Sequence, residues 1–309
     1  VGSGQVKFLG QEDIVIWNSK TQTEHFIRSA NFKADGKDIG FIAPSPTIPN
    51  LALANQSAFN HLEALRPQPF RLEIGCGAAS AAAEPAADAS LEIAQIVDLG
   101  QYEATTLRST NSSDLTRYLN AHGYKATMDI ESWANYYLKR RWYLTAFKLK
   151  VEEKSSELSP IRMSFKTSTP FFPYFVPSSN RSEESSRLRV MVLADGIASA
   201  SVLQKSLGSS DWNVPVSKES RFQLARDLQV SFDDLGEATE LTVWDSLPFP
   251  SDAKDDAFLT FTPRLPLWAD LLLYGCAGFF AVYVYRWLRL RRHYSALRPN
   301  SSTDAVDRE

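Results

Sequence analysis

An apolar run near the C-terminus, Leu267 to Leu288, constrains this chain more than any other feature, because arginines follow it at once. The 15 uncharged residues between Asp270 and Arg286 would reach only about 22 Å as a helix. Extended to Leu267–Leu288 the helix is roughly 33 Å long, enough for a hydrocarbon core of about 30 Å. Asp270 and Arg286 can then snorkel to the two interfaces, where Trp268 at one end and Tyr283, Tyr285 and Trp287 at the other are suited to lie. A buried core helix is the alternative, and the cations of Arg286, Arg289, Arg291, Arg292, His293 and Arg298 argue against it.

The expectation is therefore a transmembrane helix over residues 265–290 and a basic tail over 291–309. Positive charge stays on the cytoplasmic side, so residues 1–264 are expected outside the cytoplasm. A tail-anchored topology with a cytoplasmic domain would export the arginines. The first methionine is Met128 and the chain starts Val1-Gly2-Ser3-Gly4, so the expected history includes a removed export signal. Small residues in the span (Gly275, Ala277 and Gly278) would let a second helix approach, and the Tyr283 hydroxyl would seek a hydrogen bond at membrane depth. Gly275, Gly278 and Tyr283 are thus the candidate contacts to a membrane-protein partner; an anchor surrounded only by lipid is the alternative.

The net charge of −3 conceals this division. From Arg286 onward six arginines face Asp304, Asp307 and Glu309, so 33 cations less six leave 27 against 33 acids in the rest. An acidic exported part has no surplus with which to neutralise a phosphate backbone, and nucleic acid is not an expected partner.

Before the span, strand patterns occur at residues 13–18, 24–32 and 39–43, separated by Asn18-Ser19 and Asp35-Gly36, as in an antiparallel meander. Ser57 to Leu65 reads as a short amphipathic helix with Phe59, Leu62 and Leu65 on one side. Residues 76–90 are rich in alanine and lack large apolar side chains, so they read as a loop or linker between residues 1–75 and 91–264. Strands are expected at residues 92–99 and 101–108, then a helix capped by Ser112 or Ser113 and stopped by Gly123. A second helix over Asp129 to Arg140 carries Ile130, Trp133, Ala134, Tyr137 and Leu138 at i, i+3, i+4, i+7, i+8, a stripe that must be buried against a sheet. Further strands are expected at 142–151, 161–166, 171–176, 188–194, 240–244 and 257–262, with a helix at 220–228. Strands outnumber helices without regular alternation, which predicts an α+β fold with largely antiparallel sheet and a few short packed helices.

The segments Gly40-Phe41-Ile42-Ala43-Pro44-Ser45-Pro46, Leu119 through Gly123-Tyr124, Trp142 through Leu149, Pro160 through Phe165 and Leu188 through Asp195, in that order, carry a family resemblance. The chain resembles the bacterial predicted membrane proteins known as domain of unknown function 2330. That resemblance implies exported proteins, often with a C-terminal span, hence a place in the bacterial cytoplasmic membrane. It implies no reaction and supplies no catalytic residue. The fuller Cys/Gly-rich stretches of the family are reduced here to Gly75-Cys76-Gly77.

The chain offers little chemistry of its own. His25, His61 and His122 lie on separate elements, and there is no His-Glu-x-x-His, Gly-x-Ser-x-Gly or paired cysteine. Cys76 and Cys276 are expected on opposite sides of the domain–membrane divide and unable to pair. Asp233-Asp234 and the group Asp252, Asp255 and Asp256 lack the alternating ligands of a calcium loop and read as solvated. Pro170 through Pro177, Pro-Phe-Phe-Pro-Tyr-Phe-Val-Pro, is either a structural strand or a partner-binding edge. No cofactor or metal is expected. The functional expectation is a non-enzymatic accessory or scaffolding subunit of a membrane complex, with a membrane-anchored binding module as the rival and an unrecognised hydrolase third.

Overall fold

The computed structural model describes residues 6–34, 40–67, 91–124, 126, 128–150, 158–177, 187–246, 254–264 and 284. Along the chain run β1 (Val6–Asn18), β2 (Thr23–Ala34), β3 (Gly40–Ser45), β4 (Asn50–Leu53), α1 (Ser57–Glu63), β5 (Glu92–Asp98) and β6 (Tyr102–Arg108). Then come α2 (Ser112–Ala121), α3 (Met128–Leu138), β7 (Tyr143–Leu149), β8 (Ile161–Lys166), β9 (Phe171–Phe172), β10 (Arg187–Ala194) and β11 (Ile197–Ser199). The remainder is α4 (Ser201–Leu207), β12 (Trp212–Pro215), α5 (Lys218–Leu228), a 3-10 turn Phe232–Leu235, β13 (Glu240–Ser246), β14 (Ala257–Phe258) and β15 (Thr260–Thr262).

Residues Val1–Pro263 make one compact unit, and Arg264–Glu309 a second. Within the first, two sheets stack. The larger has the order β12-β13-β10-β1-β2-β8-β4, the smaller β3-β7-β6-β5. All pairings are antiparallel except β1 with β10, in which Asp13 stands beside Val190 and Ile16 beside Leu193. The fold is thus α+β and sheet-dominated, with largely antiparallel pairing.

Side-chain alternation sorts the core into layers. On β1 and β2, Val15 and Phe26 point toward the smaller sheet and pack with Ala43, Tyr102, Ala104 and Phe147. Ile14, Ile16 and Ile27 point the other way, onto Phe59 and Leu62 of α1 and Leu224 and Leu228 of α5. The far face of the smaller sheet, through Leu107, Leu144 and Ala146, receives Leu115 and Leu119 of α2 and Ile130, Trp133 and Tyr137 of α3. The aromatic stripe of α3 is buried as its spacing requires. The order of layers is therefore helices, seven-stranded sheet, four-stranded sheet, helices.

Several expectations are corrected. The three N-terminal strands form no meander: β1 and β2 are a hairpin joined by Asn18–Thr23 pairing, while β3 crosses to the other sheet and pairs with β7, Gly40 opposite Lys148. There the glycine is a packing requirement, because a Cβ at residue 40 would lie 2.6 Å from the Phe147 carbonyl oxygen and 2.7 Å from the Tyr124 ring. The cap of α2 is Asn111, whose side chain accepts from the Ser113 N–H, rather than Ser112 or Ser113; an amide oxygen one residue earlier reaches the same orphan donor. The expected strand over 171–176 is only Phe171–Phe172, since Pro173 can donate nothing to a ladder. The 257–262 strand divides into β14, paired with β9, and β15, paired with β11.

Among the described residues no helix is long and apolar enough to cross a membrane. The expected span over 265–290, including Gly275, Gly278, Tyr283, Arg286 and Arg289, lies outside the described residues apart from Val284, which is helical. The tail with Arg291 and Arg292, the linker 76–90, Cys76 and Cys276 also lie outside them.

Candidate functional site

Three ionisable side chains sit where an alternating strand pattern would put apolar ones. Asp13 and Arg28 stand directly opposite each other on β1 and β2, and Glu24 follows two residues before Phe26 on the same face. That face meets the smaller sheet. Asp13 and Glu24 have no solvent exposure.

Gln11 links the first pair. Its amide donates to Asp13 Oδ2 at 2.5 Å and its carbonyl accepts from Arg28 Nη2 at 2.7 Å. The guanidinium of Arg28 lies 4.9 Å from the centre of the Phe41 ring, on the opposing sheet, so the cluster ties the two sheets together. Burial pushes Asp13 up to about 7, more strongly than the Arg28 charge and the Gln11 hydrogen bond pull it down. Burial lowers Arg28, against the opposing pull of Asp13. Tyr102, on the facing sheet, is raised by burial to about 12.

The second cluster grips the proline-flanked aromatic segment. Glu24 Oε2 accepts from the Phe171 N–H at 2.9 Å. Asp256 Oδ1 accepts from the Phe175 N–H at 3.2 Å and from the Tyr137 hydroxyl at 2.9 Å. The Trp133 indole donates to the Phe175 carbonyl at 2.9 Å. A carboxylate from β2, another preceding β14 and the aromatic face of α3 thus hold Pro170–Phe175 between them. Phe171, Phe172 and Tyr174 are wholly buried there, so this segment is core rather than an exposed partner-binding edge.

Both carboxyls keep one buried oxygen without a hydrogen-bond partner, Glu24 Oε1 and Asp256 Oδ2. Burial raises Asp256 to about 7, against the donors from Phe175 and Tyr137. Burial also raises Glu24 well above the carboxylate range; the Phe171 N–H opposes this and the nearby Asp256 adds to it. Tyr137 is raised by burial and by Asp256. Each carboxyl accepts through one oxygen, from backbone N–H groups and, at Asp256, also from the Tyr137 hydroxyl, all of them groups of the protein itself.

Of the acidic groups expected in solvated loops, Asp233, Asp234 and Asp255 are exposed, and Asp256 is the exception. Asp256 is 1% exposed, while Asp255 is exposed and accepts from the Tyr136 hydroxyl at 2.6 Å. Asp252 lies outside the described residues. Asp234 caps the 3-10 turn, accepting from the Ser231 N–H at 3.0 Å, and the carbonyls of Asp233 and Asp234 accept from the Asn18 amide at 3.1 Å.

The three histidines do not meet. His25 is buried on the α1/α5 side, its ring nitrogens 2.8 Å from Ser164 Oγ and 3.3 Å from the Asp234 carbonyl; burial and Arg162 lower its pKa. His61 lies in α1. His122, at the end of α2, stacks on Tyr118 at 3.9 Å and is separated from the other two by both sheets. Among the described residues no three His, Cys, Asp or Glu side chains are grouped to hold a metal ion.

Over residues 1–244 the chain matches the family described as "Uncharacterized protein conserved in bacteria (DUF2330)". It belongs to that family. The match ends within β13 of this DUF2330 protein, so Asp256 and the strands β14 and β15 lie beyond it. No curated protein matches the chain. Among solved structures, a mutated baculovirus P35 after caspase cleavage is 11% identical, with 85% of this chain and 99% of that chain covered and a TM-score of 0.42. The caspase-8/P35 complex gives 11% identity, 70% and 71% coverage and a TM-score of 0.40.

Proposed function

We propose that this DUF2330 protein is a single-span membrane protein whose large extracytoplasmic domain serves as a non-enzymatic accessory or scaffolding subunit of a membrane complex. One observation carries the reading: the uncharged run within Leu267–Leu288 ends in Arg286, Arg289, Arg291 and Arg292, a pattern that both spans a bilayer and orients the chain in it. The Asp13–Gln11–Arg28 cluster and the Glu24 and Asp256 clamps are consistent with it, because these buried polar groups are engaged with the domain's own backbone and side chains. In this reading the domain is a rigid body that presents surfaces, held at the outer face of the cytoplasmic membrane, and the lipid bilayer and one membrane protein are its partners.

The experiment is topology followed by capture. A C-terminal epitope tag should be protected from protease added to spheroplasts, while the domain is cut, and the chain should resist alkaline extraction. Gentle solubilisation should then recover a stoichiometric membrane protein. Extraction by alkali, or a tag digested from outside, would sink the topology; a chain recovered alone from native membranes would sink the accessory role.

A further inference from the structure

Strand β5 ends the smaller sheet, and among the described residues nothing pairs with its outer edge. Edge strands expose a row of unsatisfied N–H and C=O groups and usually carry charge or irregularity that discourages pairing. β5 has both devices, yet it also carries Ile93 at 49% and Ile96 at 63% exposure. The register explains why these two are exposed together. Ile93 stands opposite Leu107 and Ile96 opposite Thr105, with a bulge between Ile93 and Gln95. Residues three apart on a regular strand point to opposite faces; the bulge's extra residue brings both isoleucines to one face. It is the face on which α2 and α3 cover Leu107, Leu144 and Ala146, but that cover stops short of β5.

We propose that β5 is a self-pairing edge: two copies of this chain join antiparallel through β5, continuing the four-stranded sheet across a two-fold axis. The sequence Glu92-Ile-Ala-Gln-Ile-Val-Asp98 admits one good register. With Ile93 opposite Ile96 of the second copy, and the reverse by symmetry, four isoleucines cluster on one face and Glu92 stands opposite Val97. Asp98, already paired with Lys150 at 2.6 Å, then meets Leu91 rather than an acid. A slip of one residue in one direction sets Glu92 against Asp98 of the second copy, like charge on like, and Ile93 against Val97, whose side chain points to the opposite face. A slip the other way opposes Glu92 and Ile96, again from opposite faces. The bulge and the carboxylates therefore reject the neighbouring registers and leave the isoleucine register standing. Such an interface is isologous and closes as a dimer instead of growing into a fibre.

The test uses the full chain in mild detergent, with Cys76→Ser and Cys276→Ser removing the native thiols. Paired residues on antiparallel strands lie close enough for a disulfide, so a one-to-one mixture of Ile93→Cys and Ile96→Cys chains should cross-link on mild oxidation. Either variant alone should not. In the cysteine-free chain, Ile96→Lys at this exposed position should leave the circular-dichroism spectrum of the folded domain unchanged while raising the dimer dissociation constant at least about 10-fold, read by sedimentation. A protomer mass at every concentration, cross-linking of the single variants as efficient as that of the mixture, or a dimer indifferent to Ile96→Lys would each overturn the proposal. The last result would assign association to another surface, such as the C-terminal helix, and leave the membrane reading intact.

Discussion

Asp256 gives a prediction whose size follows from its surroundings. Its carboxyl is buried and raised from an ordinary 3.8 to about 7. In the unfolded chain it is ionised above pH 5; in the folded domain it holds its proton until near neutrality. Between those two values the native state binds one more proton than the unfolded state, so stability falls as pH rises, by about 1.4 kcal/mol per pH unit. The contribution is fully present below about pH 4 and is lost as pH passes through about 7. From pH 5 to pH 8 this one group should cost the native state about 2.5 kcal/mol. Asp256→Asn keeps Oδ1, which accepts from Phe175 and Tyr137, and cannot ionise. Its new NH₂ replaces an oxygen that has no partner, a cost of about 1–3 kcal/mol that does not depend on pH. The stability of Asp256→Asn relative to the native sequence should therefore rise by about 2.5 kcal/mol between pH 5 and pH 8. Asp13 is raised as well, but it titrates in both proteins and cancels in the difference; Glu24, relieved of its charged neighbour, should ionise more easily and enlarge the effect slightly. Urea unfolding at several pH values, followed by tryptophan fluorescence, measures it. A difference that stays flat with pH would refute the assignment of Asp256 as a buried, proton-holding clamp.

Other positions are equally accessible to test. Arg189 is bound to Glu12 Oε1 at 3.0 Å, Glu63 Oε2 at 3.3 Å and Asp245 Oδ2 at 3.1 Å; because Glu63 and Asp245 keep Arg66 at 2.8 and 2.6 Å, Arg189→Met should cost about 1–2 kcal/mol in urea unfolding through its lost charge-assisted hydrogen bonds, and an unchanged stability would show the network to be solvated. Gly40→Ala should destabilise by about 1–3 kcal/mol, because the Phe147 carbonyl that a Cβ would strike is fixed in the sheet; an unchanged melting temperature would mean that β3 can shift. In the span, Gly275→Leu with Gly278→Leu should abolish co-purification of the proposed membrane partner while leaving the domain's melting temperature unchanged. A retained partner would place its contact elsewhere.

Much of the fold was legible because local rules agree with the final packing. The stripe on α3 needed only its 3.6-residue period, and all five of its expected residues are buried. The turn at Gly100, with φ +72°, separates β5 and β6 where the breaker stood. The buried clusters were less legible. Parity already put Asp13 with Val15, and Glu24 and Arg28 with Phe26, and a charge in phase with such residues was the available signal. What parity does not say is whether that face meets water or a second sheet. Asp256 carried still less signal, lying in an acidic group that resembles a surface loop until α3 and Phe175 close over it.

By itself the sequence determined the elements: the β1–β2 hairpin, the amphipathic helices, the predominance of strands, and the unequal division of charge about the apolar run. These depend on neighbours within a few residues, where spacing and turn chemistry act directly. Only the tertiary structure decided that β3 leaves β2 for another sheet, that β10 returns parallel beside β1, and that Asp13, Glu24 and Asp256 are enclosed. The reason is that β1 and β2 are buried on both faces although Asp13, Glu24 and Arg28 lie on one of them, so alternation cannot tell that this face is enclosed. That choice belongs to the strands and helices, some nearly 200 residues away, that come to cover each face.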